Sequence, residues 1–165
     1  MHAEAFRFIQ TAVDWLGDTS SLRVVEFGAH NVNGSPRALF PASVVYIGVD
    51  PWPGSGVDVV CRAQEFKGTG FDVCITAEAL EHDPDPAGHI NAAWQALKQG
   101  GKLILTAASD PRKPHRCDGS EGDLAGEHYA NVSREQLALW LSNWRGVTIQ
   151  HDLLHGDIYA MAVKP

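Results

Sequence analysis

Leu22-Arg23-Val24-Val25-Glu26-Phe27-Gly28 is an apolar run closed by an acid and a glycine, and Val44-Val45-Tyr46-Ile47-Gly48-Val49-Asp50 repeats the theme further on. Nearly continuous apolar runs of this kind are the pattern of strands covered on both faces. Val57-Asp58-Val59-Val60, Phe71-Asp72-Val73-Cys74-Ile75-Thr76 and Lys102-Leu103-Ile104-Leu105-Thr106-Ala107 read as three more strands. Around them the period turns helical. Phe6, Ile9, Val13 and Leu16 mark a helix over 4–16 that Gly17 stops. Asp85-Pro86 supplies a cap and a first-position proline for Ile90, Ala93, Trp94 and Leu97, with Gly100-Gly101 as the end. Ser133 and Gln136 form a capping-box pattern ahead of Leu137, Trp140, Leu141 and Trp144. Val147-Thr148-Ile149 and Ile158 to Val163 are separated by too little chain for a helix, so they should pair as an antiparallel hairpin. Strands alternating with helices predict a parallel α/β sheet, here ending in that hairpin. A single domain over 1–165 is expected, with the N-terminal helix inside 1–20.

The chain has 165 residues and 17.9 kDa, enough for one real core. Hydrophobic residues at 44% and charged residues at 20% fit neither a disordered tail nor a membrane protein. No apolar run approaches the roughly 18 residues of a membrane span. A net charge of −7 argues against strong nucleic-acid binding, whose affinity comes from neutralising phosphates. Met1-His2-Ala3-Glu4 does not begin a signal peptide, so a cytoplasmic location is expected. Cys61, Cys74 and Cys117 have no CxxC spacing, and reduced, mostly buried thiols are expected of them.

Ligands of open α/β sheets bind beyond the carboxyl ends of the strands. Glu26 and Gly28 stand at the first such end, with Asn33-Gly34-Ser35 in the same turn. A glycine there admits a ligand close to the backbone. Asp50 ends the second strand, where a carboxylate can accept both hydroxyls of a ribose, and Glu78, Glu81 and His82 follow the fourth. Singly, such a glycine is often just a turn, such an Asp just a cap, and Glu78 and Glu81 just a polar helix start. Their combined order is far harder to obtain by chance.

At these residues the chain resembles the class I S-adenosylmethionine-dependent methyltransferases, over about residues 22 to 165. The matching stretches are Val25-Glu26-Phe27-Gly28 with Val32-Asn33-Gly34-Ser35, Tyr46 to Asp50, Phe71 to Ile75 with Glu78-Ala79-Leu80-Glu81-His82, and Ala96-Leu97-Lys98-Gln99-Gly100-Gly101. The resemblance implies a Rossmann-like, doubly wound, mostly parallel seven-stranded sheet of order 3-2-1-4-5-7-6 with the last strand antiparallel. It implies S-adenosyl-L-methionine as cofactor. Glu26, Gly28, Ala29 and Gly34 would face its methionine part, Asp50 its ribose, Pro51 and Trp52 its adenine. The backbone of Ala63 would serve the adenine edge, with Gln64 or Glu65 as a replacement acceptor, and Glu78 would border the site. Two departures stand out: His30 and Val32 occupy the second and third glycine positions of the family's first motif, and Arg62 replaces an Asp often found after the third strand.

Methyl transfer from a sulfonium is an in-line displacement, so alignment and water exclusion dominate, with orientation alone supplying roughly 7–11 kcal/mol. A base is needed only when the acceptor atom carries a proton of high pKa. His82, His128 and Tyr129 are the candidate catalytic residues, while His115 reads as a solvated loop residue. Asp83, Asp85 and His82 share one turn and predict no metal site. Residues 109–132 show neither period and read as a mobile lid over the acceptor. Arg112, Lys113 and Arg116 within it suggest an acceptor with a negative group, and the charge balance favours a small molecule. The alternative is a non-catalytic module that binds the same cofactor. Pro51 to Gly56 is too short for a helical crossover, although six extended residues reach roughly 20 Å. The sheet face there should be thinly covered, a surface for a homodimer contact. In the family's strand order Cys61 and Cys74 would be about 14 Å apart, beyond disulfide reach.

Overall fold

The computed structural model describes residues 2–120 and 123–165, and its sheet has the order β3-β2-β1-β4-β5-β7-β6. The strands are β1 (Arg23–Phe27), β2 (Val45–Asp50), β3 (Val59–Val60), β4 (Phe71–Ala77), β5 (Leu97–Ala108), β6 (Arg145–Asp152) and β7 (Asp157–Val163). Parallel pairing runs from β3 to β5, and β7 is antiparallel to both β5 and β6. This is the doubly wound order that the family resemblance implies.

Alternation along the strands divides the core between the two faces. Val25, Phe27, Cys74, Leu103 and Leu105 face one side, where α2 (Pro86–Ala96) contributes Ile90 and Ala93, and α3 (Arg134–Trp140) contributes Leu137. Val24, Val73, Ile75 and Ile104 face the other, beneath Ile9, Ala12 and Val13 of α1 (Ala3–Trp15). The caps are made as their residues predict. Asp85 Oδ1 accepts from the Gly88 amide at 2.9 Å, and Ser133 and Gln136 satisfy one another's backbone amides.

Three elements depart from the sequence reading. The third strand shrinks to Val59–Val60: the Asp58 amide still donates to Gly48 O at 2.8 Å, but the Gly48 amide goes to the Asp58 carboxylate at 2.7 Å, beside Arg37, and not to a backbone carbonyl. Gly100-Gly101 does not end α2. The helix stops at Ala96, Leu97 turns extended beside Phe71, and the glycines lie within β5. β6 extends over Arg145–Asp152, longer than its three-residue apolar centre, because backbone pairing with β7 carries past it. The link from β2 to β3 holds no helix, and Val45 and Val60 are half exposed at that edge. Cys61, Cys74 and Cys117 are unbonded; against expectation Cys117 is exposed, since the loop that carries it covers the cleft rather than the core. No described helix is long and apolar enough to cross a membrane.

Candidate active site

The carboxyl ends of β1, β2 and β4 open into a cleft of about 1210 Å³. Gly28 follows β1 with φ +81°, and its amide donates to Val49 O at 3.0 Å. A Cβ there would stand 2.5 Å from the Cβ of Ala79. The glycine is therefore required by the protein's own backbone conformation and packing. Asp50 is almost buried, and each carboxylate oxygen accepts one backbone amide, from His30 at 3.1 Å and Trp52 at 2.9 Å. Such a fixed carboxylate keeps lone pairs free on the cleft side. Pro51, the exposed Trp52, Gly34 and Ala63 line the same cleft.

Two of the cofactor-side candidates sit elsewhere. Ala29 is buried and does not line the cleft. Gln64 also lies off it, its amide nitrogen donating to Asp83 Oδ2 and to Asp85 O, both at 3.0 Å. Asp83 in turn meets His89 Nδ1 at 3.0 Å, and His89 Nε2 meets Thr76 Oγ1 at 3.1 Å. This chain of side chains ties α2 to the end of β4. His89 read as part of a helix, so its role was not visible in the sequence.

Glu26 is buried beside the Gly28 turn and accepts from Tyr46 Oη at 2.8 Å. Burial raises its pKa to about 7 despite that bond. Glu78 takes a left-handed φ of +54° at the end of β4. Its carboxylate meets His2 Nε2 at 3.2 Å and Arg112 at 3.7 Å. His2 also lies 3.0 Å from the fully buried Asp157, which pairs with Arg112 and accepts from Tyr159 Oη at 2.7 Å. Burial alone would raise Glu78, but the hydrogen bond and charge of His2, with Arg112, hold it below the usual range. The bonds to Asp157 and then Glu78 lift His2 to about 10. His2 and Arg112, whose Nε2 and guanidinium also approach each other to 2.5 Å, thus meet two carboxylates where α1, β4, β7 and the loop after β5 come together.

The loop over 109–132 is fastened to the body at its two ends, by Arg112 and by the amides of Ala130 and Val132, which donate to Glu81 O and Ala108 O; Glu121 and Gly122 fall outside the described residues. Arg112 is held by the cluster above, and Arg116 by Glu127 at 3.1 Å. Of the three basic residues expected to greet an acceptor, two are therefore engaged within the protein, and Lys113 lines the cleft. His115 is no solvated loop residue. Its ring packs edge-on against His82 and Tyr129, at centroid distances of 5.1 and 4.8 Å, and it borders the cleft. His82 is half-buried, and burial, then the nearby His115, lowers its pKa to about 4. His128 lines the cleft, whereas Tyr129 stands behind the two imidazoles. Glu81 does stand in the first turn of a short 3₁₀ helix, Leu80–His82, but it is fully buried, and burial followed by the charge of Glu78 raises it to about 8.

A family model described as a methyltransferase domain matches residues 34–105. The ubiquinone biosynthesis O-methyltransferase of Nitrosococcus oceani is 39% identical over 54 residues, which are 33% of this chain and 23% of that protein. The namesake from Idiomarina loihiensis is 39% identical over 57 residues, 32% of this chain and 24% of that one. The match thus spans about a quarter of these relatives' length. Among solved structures, the 1,6-didemethyltoxoflavin-N1-methyltransferase of Burkholderia thailandensis, with bound 1,6-didemethyltoxoflavin and S-adenosylhomocysteine, superposes with TM-score 0.72 at 16% identity. That match covers 97% of this chain and 78% of the other. The magnesium protoporphyrin IX methyltransferase of Synechocystis PCC 6803, with bound SAM, gives 0.68 at 14% identity, covering 97% and 79%. The fold is that of the class I S-adenosylmethionine-dependent methyltransferases.

Proposed function

We propose that this chain, which has the class I methyltransferase fold and matches a methyltransferase-domain model over residues 34–105, binds S-adenosyl-L-methionine in the cleft and transfers its methyl group to a small molecule. The observation that carries the reading is Asp50, held on the cleft wall by the amides of His30 and Trp52, beside the left-handed Gly28. Two vicinal hydroxyls suit the lone pairs its oxygens retain. The residues fit the group on other counts. A cleft of about 1210 Å³ exceeds the ~300–1,000 Å³ typical for a single ligand, which leaves room for an acceptor as well.

Bound S-adenosylmethionine supplies a methyl group activated on a sulfonium. The chain's own residues then orient and enclose. Asp50 and the Gly28 turn hold the cofactor side. The loop over 109–132, which brings Lys113, His115 and Arg116 to the cleft, is the element placed to exclude water from it when an acceptor is bound. His82 and His128 offer imidazole nitrogens that can take the proton of a hydroxyl or amine acceptor, and Tyr129 backs the His82 ring. A small acceptor is supported by the net charge of −7 and by relatives named for methylating small molecules. Three unpaired cysteines support a reducing, cytoplasmic setting.

Isothermal titration with S-adenosylhomocysteine, beside a turnover assay on a panel of small hydroxyl and amine acceptors, tests the reading. Binding lost in Asp50→Ala together with turnover on a panel member supports it. Absence of binding in the wild type refutes it, and binding with no turnover on any acceptor favours the non-catalytic module.

A further inference from the structure

Among the described residues, neither carboxylate oxygen of Glu81 nor Nδ1 of His82 makes a well-formed hydrogen bond, although the backbone amides of Glu81 and Ala108 stand near that buried carboxylate. These are adjacent residues at the end of the turn after β4. Buried polar groups are nearly always paired, so three orphans side by side call for a missing partner. The nearby protein cations do not fill the role. Arg112 and His2 are spent on Glu78 and Asp157. From the opposite wall His115 brings a second imidazole, and one donor atom from each of Glu81, His82 and His115 lies within 4.8 Å of the other two.

We propose that Glu81, His82 and His115 form a binding site for a divalent transition metal of the zinc type. Zinc takes imidazole nitrogen and carboxylate oxygen at about 2.0–2.2 Å, which these donors reach by small side-chain movements. Two imidazoles favour zinc-like ions over magnesium or calcium, which prefer shells of oxygen alone. Three protein ligands leave a position open, and His82 and His115 both border the cleft, so water or an acceptor hydroxyl completes the shell there. The other cluster of donors, His2, Glu78 and Asp157, is excluded, because the Arg112 guanidinium already sits against its carboxylates. The metal would pin the loop carrying His115 to the end of β4, and His128 would remain as the imidazole free to take a proton.

This goes beyond methyl transfer and is tested without it. The full chain, stripped with chelator, is titrated with zinc chloride alone, and cobalt(II) is followed by visible absorption. One zinc per chain is expected, with Glu81→Gln and His115→Ala each weakening binding at least about tenfold. Cys117→Ser should change nothing, and the cobalt spectrum should lack thiolate charge-transfer bands. Circular dichroism verifies folding; should Glu81→Gln misfold, His115→Ala on the loop still decides. Zinc binding that His115→Ala leaves intact, a thiolate band, or no binding at all overturns the site. Because S-adenosylhomocysteine affinity is measured separately, either reading can fail without the other.

Discussion

The imidazole of His2 lies 3.0 Å from the carboxylate of Asp157, joining the start of the first helix to the start of the last strand. Around the pair stand Glu4, Glu78 and Arg112, so one residue ahead of α1 organises groups from four parts of the chain. His2→Gln keeps size and loses the charge. It should destabilise the protein by about 1.5–3 kcal/mol, the range for hydrogen bonds to charged groups. Since folding raises the His2 pKa from 6.5 to about 10, its contribution is full below about pH 6.5 and is lost as pH rises through about 10. Urea melts of both proteins between pH 6 and 10 should show the gap closing as pH rises. A gap that stays constant or widens would mean that His2 is not the charged partner.

Asp50→Ala should weaken S-adenosylhomocysteine binding by about 1.5–3 kcal/mol, or roughly ten- to hundredfold. The structure adds a second component, since the amides of His30 and Trp52 lose their acceptor as well. Asp50→Asn, which keeps one acceptor oxygen, should recover part of the affinity in the same titration. Equal losses in the two variants would argue that charge, and not hydrogen bonding, is what the site uses.

Gly28 is held by two separate constraints, a φ of +81° and the neighbouring Ala79. Gly28→Val is therefore expected to lower the melting temperature as well as block the cleft. Gly28→Ala should cost about 1–3 kcal/mol in stability. Pairing it with Ala79→Gly removes the contact but not the backbone strain, so the double variant should regain some stability and not all. Complete recovery would show that packing alone demands the glycine.

Arg116 and the Cys117 amide are both held by Glu127, at 3.1 Å and 2.7 Å. Glu127→Gln should free this part of the loop and speed tryptic cleavage after Arg116 severalfold. S-adenosylhomocysteine should slow the cut in wild type, because the loop borders the cleft proposed to hold the cofactor. A cleavage rate that neither the substitution nor the ligand alters would refute the loop as the cleft's cover.

Strand and helix identity was legible in local pattern, because apolar runs, capping residues and prolines act on their immediate neighbours. Val24 to Phe27 and Tyr46 to Asp50 announce buried strands by composition, and Ser133 with Gln136 announces a helix start. The order of the sheet came from the family resemblance, and the structure has the same order. The glycine and acids at the strand ends were likewise visible, since a parallel sheet puts every carboxyl end on one side. Tertiary structure alone decided which polar groups meet. His2, Arg112 and Asp157 carry no mutual spacing in the sequence, and Arg112 read as a free cation before the fold placed Asp157 against it. Glu81 and His115 changed character for the same reason: the close of one strand and a distant loop converge on them, and burial, which no local pattern encodes, sets their chemistry.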